Sequence, residues 1–128
     1  MSRDFVLIVD DDEVIRSLLR LTLPSEGFDV VEAESGDHAL ELANGRAPAL
    51  VLLDWRMPGH SGAEVLTELK QRYPRTPVIV LTAEPETPNR KQAESLGADV
   101  FVTKPFSPLQ LLSTIERLLA ERALDERA

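Results

Sequence analysis

Four carboxylates and a lysine stand at positions from which they can act together. Asp10, Asp11 and Asp12 follow the apolar run Phe5 to Val9, and Asp54 follows Leu50 to Leu53. Thr82 and Ala83 follow Val78 to Leu81, while Thr103, Lys104 and Pro105 follow Val100 to Val102. If these runs are neighbouring parallel strands, their carboxyl ends share one rim, the place where open α/β sheets bind ligands. Carboxylates about 4 Å apart repel by about 4 kcal/mol per pair at an effective dielectric of about 20. A hard divalent cation relieves that repulsion. An all-oxygen donor set with no His or Cys beside it suits Mg²⁺, which keeps several waters and leaves room for phosphoryl oxygens. Lys104 and Thr82 add a cation and a hydroxyl donor for an oxygen-rich anion. Asp54 is then the candidate nucleophile, since a carboxylate beside a metal can form an aspartyl phosphate.

Those residues need a scaffold, and the chain's patterning supplies one. Five short apolar runs (the four above and one around Val30 and Val31) alternate with segments of helical period. Three are nearly continuous Val, Ile and Leu, the pattern of strands covered on both faces. Between them, Val14, Leu18 and Leu21 share a stripe with Ile15 and Leu19, while Ala39, Leu40, Leu42 and Ala43 form a second stripe. Val65, Leu66 and Leu69 form a third, and each is expected to cover a sheet face. The last segment opens with Ser107 as a cap and Pro108 in the first turn, buries Leu111, Leu112, Ile115, Leu118 and Leu119, and is predicted to end near Arg122. Pro85 and Pro88 predict a late start for the fourth helix, after both of them. Gly27, Gly45, Gly62 and Gly97 punctuate the junctions. Strand and helix alternating five times predict a doubly wound, three-layer α/β sandwich.

Composition narrows the function classes. A chain of 128 residues, 43% hydrophobic and 28% charged, suits one globular domain. A net charge of −8 argues against direct binding to nucleic acid or anionic membranes. There is no cysteine, which excludes disulfides, thiolate metal sites and thiol nucleophiles. No apolar run approaches the length of a membrane span, and the amino-terminal residues do not resemble an export signal, so the expected location is cytoplasmic.

With these residues in place, the sequence resembles the receiver (CheY-like) domain of bacterial two-component response regulators over essentially its whole length. The matching stretches are Leu7-Ile-Val-Asp-Asp-Asp12, Leu52-Leu-Asp-Trp-Arg-Met-Pro58, Val80-Leu-Thr-Ala83 and Val102-Thr-Lys-Pro-Phe106; Gly59 to Gly62 resembles the loop after the acceptor. The resemblance implies a flavodoxin-like (βα)₅ fold with strand order 2-1-3-4-5. Residues 1–122 are expected to form the receiver, and the charged tail 123–128 to be either a fraying end or the start of a linker. The resemblance also implies that Asp54 accepts a phosphoryl group from a histidine kinase or phosphotransfer protein. Asp10, Asp11, Asp54 and the backbone carbonyl of Arg56 would hold Mg²⁺, and Thr82 and Lys104 would bind the phosphoryl oxygens. Thr82 would couple to Phe101, which turns inward as the α4-β5-α5 face switches, and small Ala83 would keep the approach open. The peptide before Pro105 is expected to be cis. Arg56 and Glu84 would flank the entrance and pair across it, slowing attack by water. The implied partners are that kinase, a downstream output domain or protein, and a second copy of the chain on phosphorylation.

Plainer roles stand beside these. Asp12 is assigned as the N-cap of the first helix and left out of the metal site. His38 and His60 are expected to be solvated surface residues, and Trp55 and Phe101 to pack, with Trp55 placed to report Mg²⁺ binding by fluorescence. Two other function classes remain open. A Mg²⁺-dependent phosphohydrolase could use the same aspartate, although Arg56 stands where a second acid would follow the nucleophile and no insertion is long enough for a substrate cap. A constitutive binding module would not need the acidic cluster.

Overall fold

A computed structural model of the chain describes residues 4–23, 27–57, 61–83 and 87–127. Five parallel strands, β1 (Phe5–Val9), β2 (Asp29–Ala33), β3 (Leu50–Asp54), β4 (Val78–Thr82) and β5 (Val100–Thr103), form one sheet in the order β2-β1-β3-β4-β5. Helices α1 (Glu13–Thr22), α2 (Gly36–Leu42), α3 (Gly62–Arg72), α4 (Thr87–Ser95) and α5 (Pro108–Arg127) connect or follow them. The architecture is the predicted three-layer, doubly wound α/β sandwich of flavodoxin-like order.

The three central strands are buried along their whole length, as their unbroken apolar runs require. Their side chains alternate between two cores. Leu7, Val9, Val51, Leu53, Val78 and Val80 pack with Ala39, Val65, Leu66, Leu69 and Ala93 from α2, α3 and α4. Val6, Ile8, Leu50, Leu52, Ile79 and Leu81 pack with Leu19 of α1 and Leu111, Ile115 and Leu118 of α5. The outer strands β2 and β5 are half-buried, each having a neighbour on one side.

Local signals start the helices. Asp12 caps α1, its carboxylate accepting from the Val14 and Ile15 amides at 2.9 and 3.4 Å. Ser61 and Glu64 form a reciprocal capping box on α3, and Ser107 accepts from the Gln110 amide at the start of α5. Behind the Ser61 cap, a Cβ on Gly62 would lie 2.7 Å from the Trp55 carbonyl oxygen, so only glycine lets α3 approach the loop after β3 this closely.

Three expectations need correction. On α1, Val14, Leu18 and Leu21 do not cover the sheet; they are 73, 40 and 84% exposed. The core-facing residues are Ile15, Leu19 and Thr22, and at about 100° per residue the other row is turned away to one flank. Helix α5 runs to Arg127, not Arg122, in a stretch of good helix formers. Helix α4 starts late, as predicted, but at Thr87, so that Pro88 falls inside its first turn, where the missing N–H has no helical partner to lose.

The rim at the amino ends of the strands is closed by satisfied polar groups. Asp99 accepts from the Val78 amide at 2.8 Å and from Lys70 Nζ at 2.9 Å. Lys70 also donates to the Thr76 carbonyl, and buried Thr76 donates its hydroxyl to the Pro48 carbonyl at 2.9 Å. No helix among the described residues is long and apolar enough to cross a membrane.

Candidate functional site

Sheet register brings the reactive groups together at the opposite rim. Val9 pairs with Leu53, Asp54 with Leu81, and Thr82 with Thr103, so Asp10, Asp54, Thr82 and Lys104 emerge side by side at four adjacent strand ends. Asp10 and Asp54 are 1 and 6% exposed, whereas Asp11 faces solvent. One carboxylate oxygen from each of the three lies within 4.8 Å of the others. Lys104 Nζ sits between the buried pair, 2.9 Å from Asp10 Oδ2 and 3.3 Å from Asp54 Oδ1.

The electrostatics follow from that crowding. Burial, and then the charge of Asp10, push the Asp54 carboxyl up to about 6, against the opposing pull of Lys104 and the Arg56 backbone N–H. For Lys104, burial alone would lower the ammonium; the hydrogen bond to Asp10 and the charges of Asp54 and Asp10 outweigh it and raise its pKa. One ammonium thus serves two buried carboxylates, and negative charge remains uncompensated. Three hard oxygen donors on one rim, with a surplus of negative charge, fit a divalent cation such as Mg²⁺. Asp10, Asp11 and Asp54 are the residues that could hold it.

Other expected residues sit around this centre. Thr82 is fully buried, and its carbonyl accepts from the Lys104 amide at 2.7 Å. The Lys104–Pro105 peptide is cis. Ala83 and Arg56 are exposed at the rim, and Trp55, next to Asp54 in the chain, is 5% exposed. Phe101 is half-buried on β5, with the Arg90 guanidinium of α4 lying over its ring, 4.9 Å from the centroid. Glu84, and with it the proposed pairing to Arg56, lies outside the described residues, as does His60. His38 departs from the solvated role expected of it: it is half-buried, and its Nδ1 is buried without a hydrogen-bond partner among the described residues.

Two groups of contacts were missed. Arg90 stacks on Phe101, a pairing across α4 and β5 that no local spacing signals. Arg16 and Arg20 on α1 both bind Glu32 of β2, at 3.0 and 2.9 Å, and Arg16 also donates to the Asp10 carbonyl at 2.7 Å. Their i, i+4 spacing, opposite an acid inside a strand, was the available signal.

Comparison with known proteins agrees with this geometry. Residues 6–116 match the response regulator receiver domain family. The transcriptional regulatory protein SrrA of Staphylococcus aureus is 41% identical over 114 residues, which cover 89% of this chain and 47% of that protein; the chain spans about half the length of these curated relatives. A CheY-like receiver domain protein from Methanospirillum hungatei superposes with a TM-score of 0.89 at 29% identity, covering 97% of this chain and 99% of that one. Chemotaxis protein CheY4 of Vibrio cholerae gives a TM-score of 0.82 at 31% identity, over 91 and 99% of the respective chains. The chain belongs to the response regulator receiver domain family of two-component systems.

Proposed function

We propose that this receiver domain accepts a phosphoryl group on Asp54 from a phosphohistidine of a partner kinase or phosphotransfer protein, with Mg²⁺ held by Asp10, Asp11, Asp54 and the Arg56 carbonyl. The observation that carries the reading is the buried Asp54 carboxylate within 3.3 Å of Lys104 and in reach of two further acids. An Asp54 oxygen attacks phosphorus, forming a P–O bond as the P–N bond to imidazole breaks, and the imidazole nitrogen keeps the electron pair. Bound Mg²⁺ would neutralise charge on the acids and the phosphoryl oxygens. Lys104 stabilises negative charge gathering on the transferred group, and the Thr82 hydroxyl donates to one of its oxygens. Exposed Ala83 leaves the approach to Asp54 open to a donor side chain.

The new charge at Asp54 biases a two-state element, α4-β5-α5, in which Thr82 and Phe101 couple the rim to the face read by an output domain or protein. A shift from 1:99 to 99:1 needs about 5.5 kcal/mol of differential interaction, and charge-assisted hydrogen bonds from Lys104 and Thr82 supply part of it. The protein works in the cytoplasm, where its donor kinase presents the phosphohistidine. Incubation with acetyl phosphate and Mg²⁺ followed by mass measurement tests the reading. A phosphate-sized gain in the wild type, absent from Asp54→Ala, is expected. Rapid repeated turnover of acetyl phosphate without a stable adduct would instead return the phosphohydrolase.

A further inference from the structure

Asp10 and Asp11 lie beyond the end of β1, and the backbone of Asp10 is held on both sides, by β2 at its amide and by a side chain of α1 at its carbonyl. The Asp10 amide donates to the Ala33 carbonyl of β2 at 3.1 Å. The Asp10 carbonyl accepts from a side chain, Arg16 Nη1 at 2.7 Å, while Arg16 Nε donates to Glu32 of β2 at 3.0 Å. Arg16 is 14% exposed in its side chain, so this contact is more than a solvated surface pairing. Glu32 is braced in turn by Arg20, which donates to its other oxygen at 2.9 Å and to the Val30 carbonyl at 3.2 Å.

We propose that Arg16 is a positioning residue for the metal site: its guanidinium fixes the plane of the Asp10–Asp11 peptide against β2 and so aims both carboxylates. The inference rests on the reading of Asp10 and Asp11 as Mg²⁺ ligands. The Asp10 carbonyl belongs to the peptide that joins the two acids, so its orientation sets the direction from which both side chains leave the backbone. Asp10 then meets Lys104 through Oδ2 and the Asp12 amide through Oδ1, at 2.9 Å each. A guanidinium is a planar fork with donors in fixed directions, so holding Glu32 with one nitrogen fixes the direction of another. A lysine ammonium, a single point donor, can reach one acceptor or the other without fixing a plane. Outer contacts that orient a metal ligand typically control affinity by about 10- to 100-fold when removed.

The test compares Mg²⁺ dissociation constants of the unphosphorylated protein, read from Trp55 fluorescence and by calorimetry, with thermal midpoints in EDTA. Arg16→Met is expected to weaken Mg²⁺ binding by about tenfold. Arg16→Lys, which retains the charge and most of the stem, is expected to recover the thermal midpoint but not the affinity. Arg20→Met removes the neighbouring ion pair to Glu32 without touching Asp10, and is expected to lower the midpoint while leaving the affinity unchanged. Equal loss of affinity in the Arg16→Met and Arg20→Met proteins would overturn the proposal, because general loosening of β2 would then explain both. So would wild-type affinity in Arg16→Lys, which decides the matter alone if Arg16→Met does not fold. Absence of Mg²⁺ binding in the wild type would remove the reading of the site itself, a result distinguishable from either.

Discussion

Replacing Asp54 by asparagine should make the metal-free protein more stable. The carboxyl titrates near 6 in the fold against an ordinary value of 3.8, a rise of about 2 units caused by burial first and the Asp10 charge second. At 1.36 kcal/mol per unit the ionised form is disfavoured by at most about 3 kcal/mol. Solvent at the rim screens part of that, so about 1–2 kcal/mol is expected at pH 7.5, or several degrees in Tm for a domain of this size. The sign follows from proton uptake: between 3.8 and about 6 the folded protein binds more protons than the unfolded chain, so wild-type stability falls as pH rises through that window and stays lowered above it. The amide introduced in place of the carboxyl has no proton to lose. The advantage of Asp54→Asn should therefore be small at pH 4, grow between pH 4 and 6 and level off above, and Mg²⁺ should narrow it by stabilising the wild type preferentially. Urea unfolding in EDTA across that pH range measures all of this. An Asp54→Asn protein no more stable than wild type at pH 7.5, or equally advantaged at pH 4, would refute the claim that burial and the neighbouring charge of Asp10 disfavour the ionised carboxyl.

Lys104→Met leaves Asp10 and Asp54 buried without their shared cation, and should cost about 2–4 kcal/mol at pH 7.5 by chemical denaturation, with partial recovery on adding Mg²⁺. Gly62→Ala forces a Cβ to 2.7 Å from the Trp55 carbonyl oxygen, so the start of α3 and the loop after β3 must separate; unfolding should show a loss of about 1–3 kcal/mol and a shifted Trp55 emission. Glu32 titrates below its usual value because, although burial opposes it, the hydrogen bonds and charges of Arg20 and Arg16 dominate. Its contribution is present above the unfolded pKa of 4.5 and lost as pH falls through the folded one, so the deficit of Glu32→Gln should be full at pH 7 and shrink progressively as the pH is taken below 4.5.

Much of the fold and of the rim was legible because the parallel sheet makes it so. Unbroken apolar runs identify the central strands, and whatever follows each run in such a sheet shares an edge, so Asp10, Asp54, Thr82 and Lys104 could be placed together before any coordinates. Helix α1 shows where that legibility ends. Val14, Leu18 and Leu21 have the same spacing as Ile15, Leu19 and Thr22, and periodicity alone cannot tell which row meets the sheet when both begin with β-branched apolar residues. The stacking of Arg90 on Phe101 depends on a tertiary distance that carries no mark in local spacing, and the i, i+4 pair Arg16 and Arg20 signals a shared acid without saying that Arg16 also reaches the Asp10 carbonyl.

The two ends of the sheet divide the labour between them. At one, Asp99, Lys70 and Thr76 bind backbone and one another until their demands are met, giving a seam whose polar groups answer each other. At the other, the ammonium of Lys104 is outnumbered by the anions it serves. Cohesion lives at the first end and tension at the second, so incoming ions can relax the working edge without unfastening the domain that carries it.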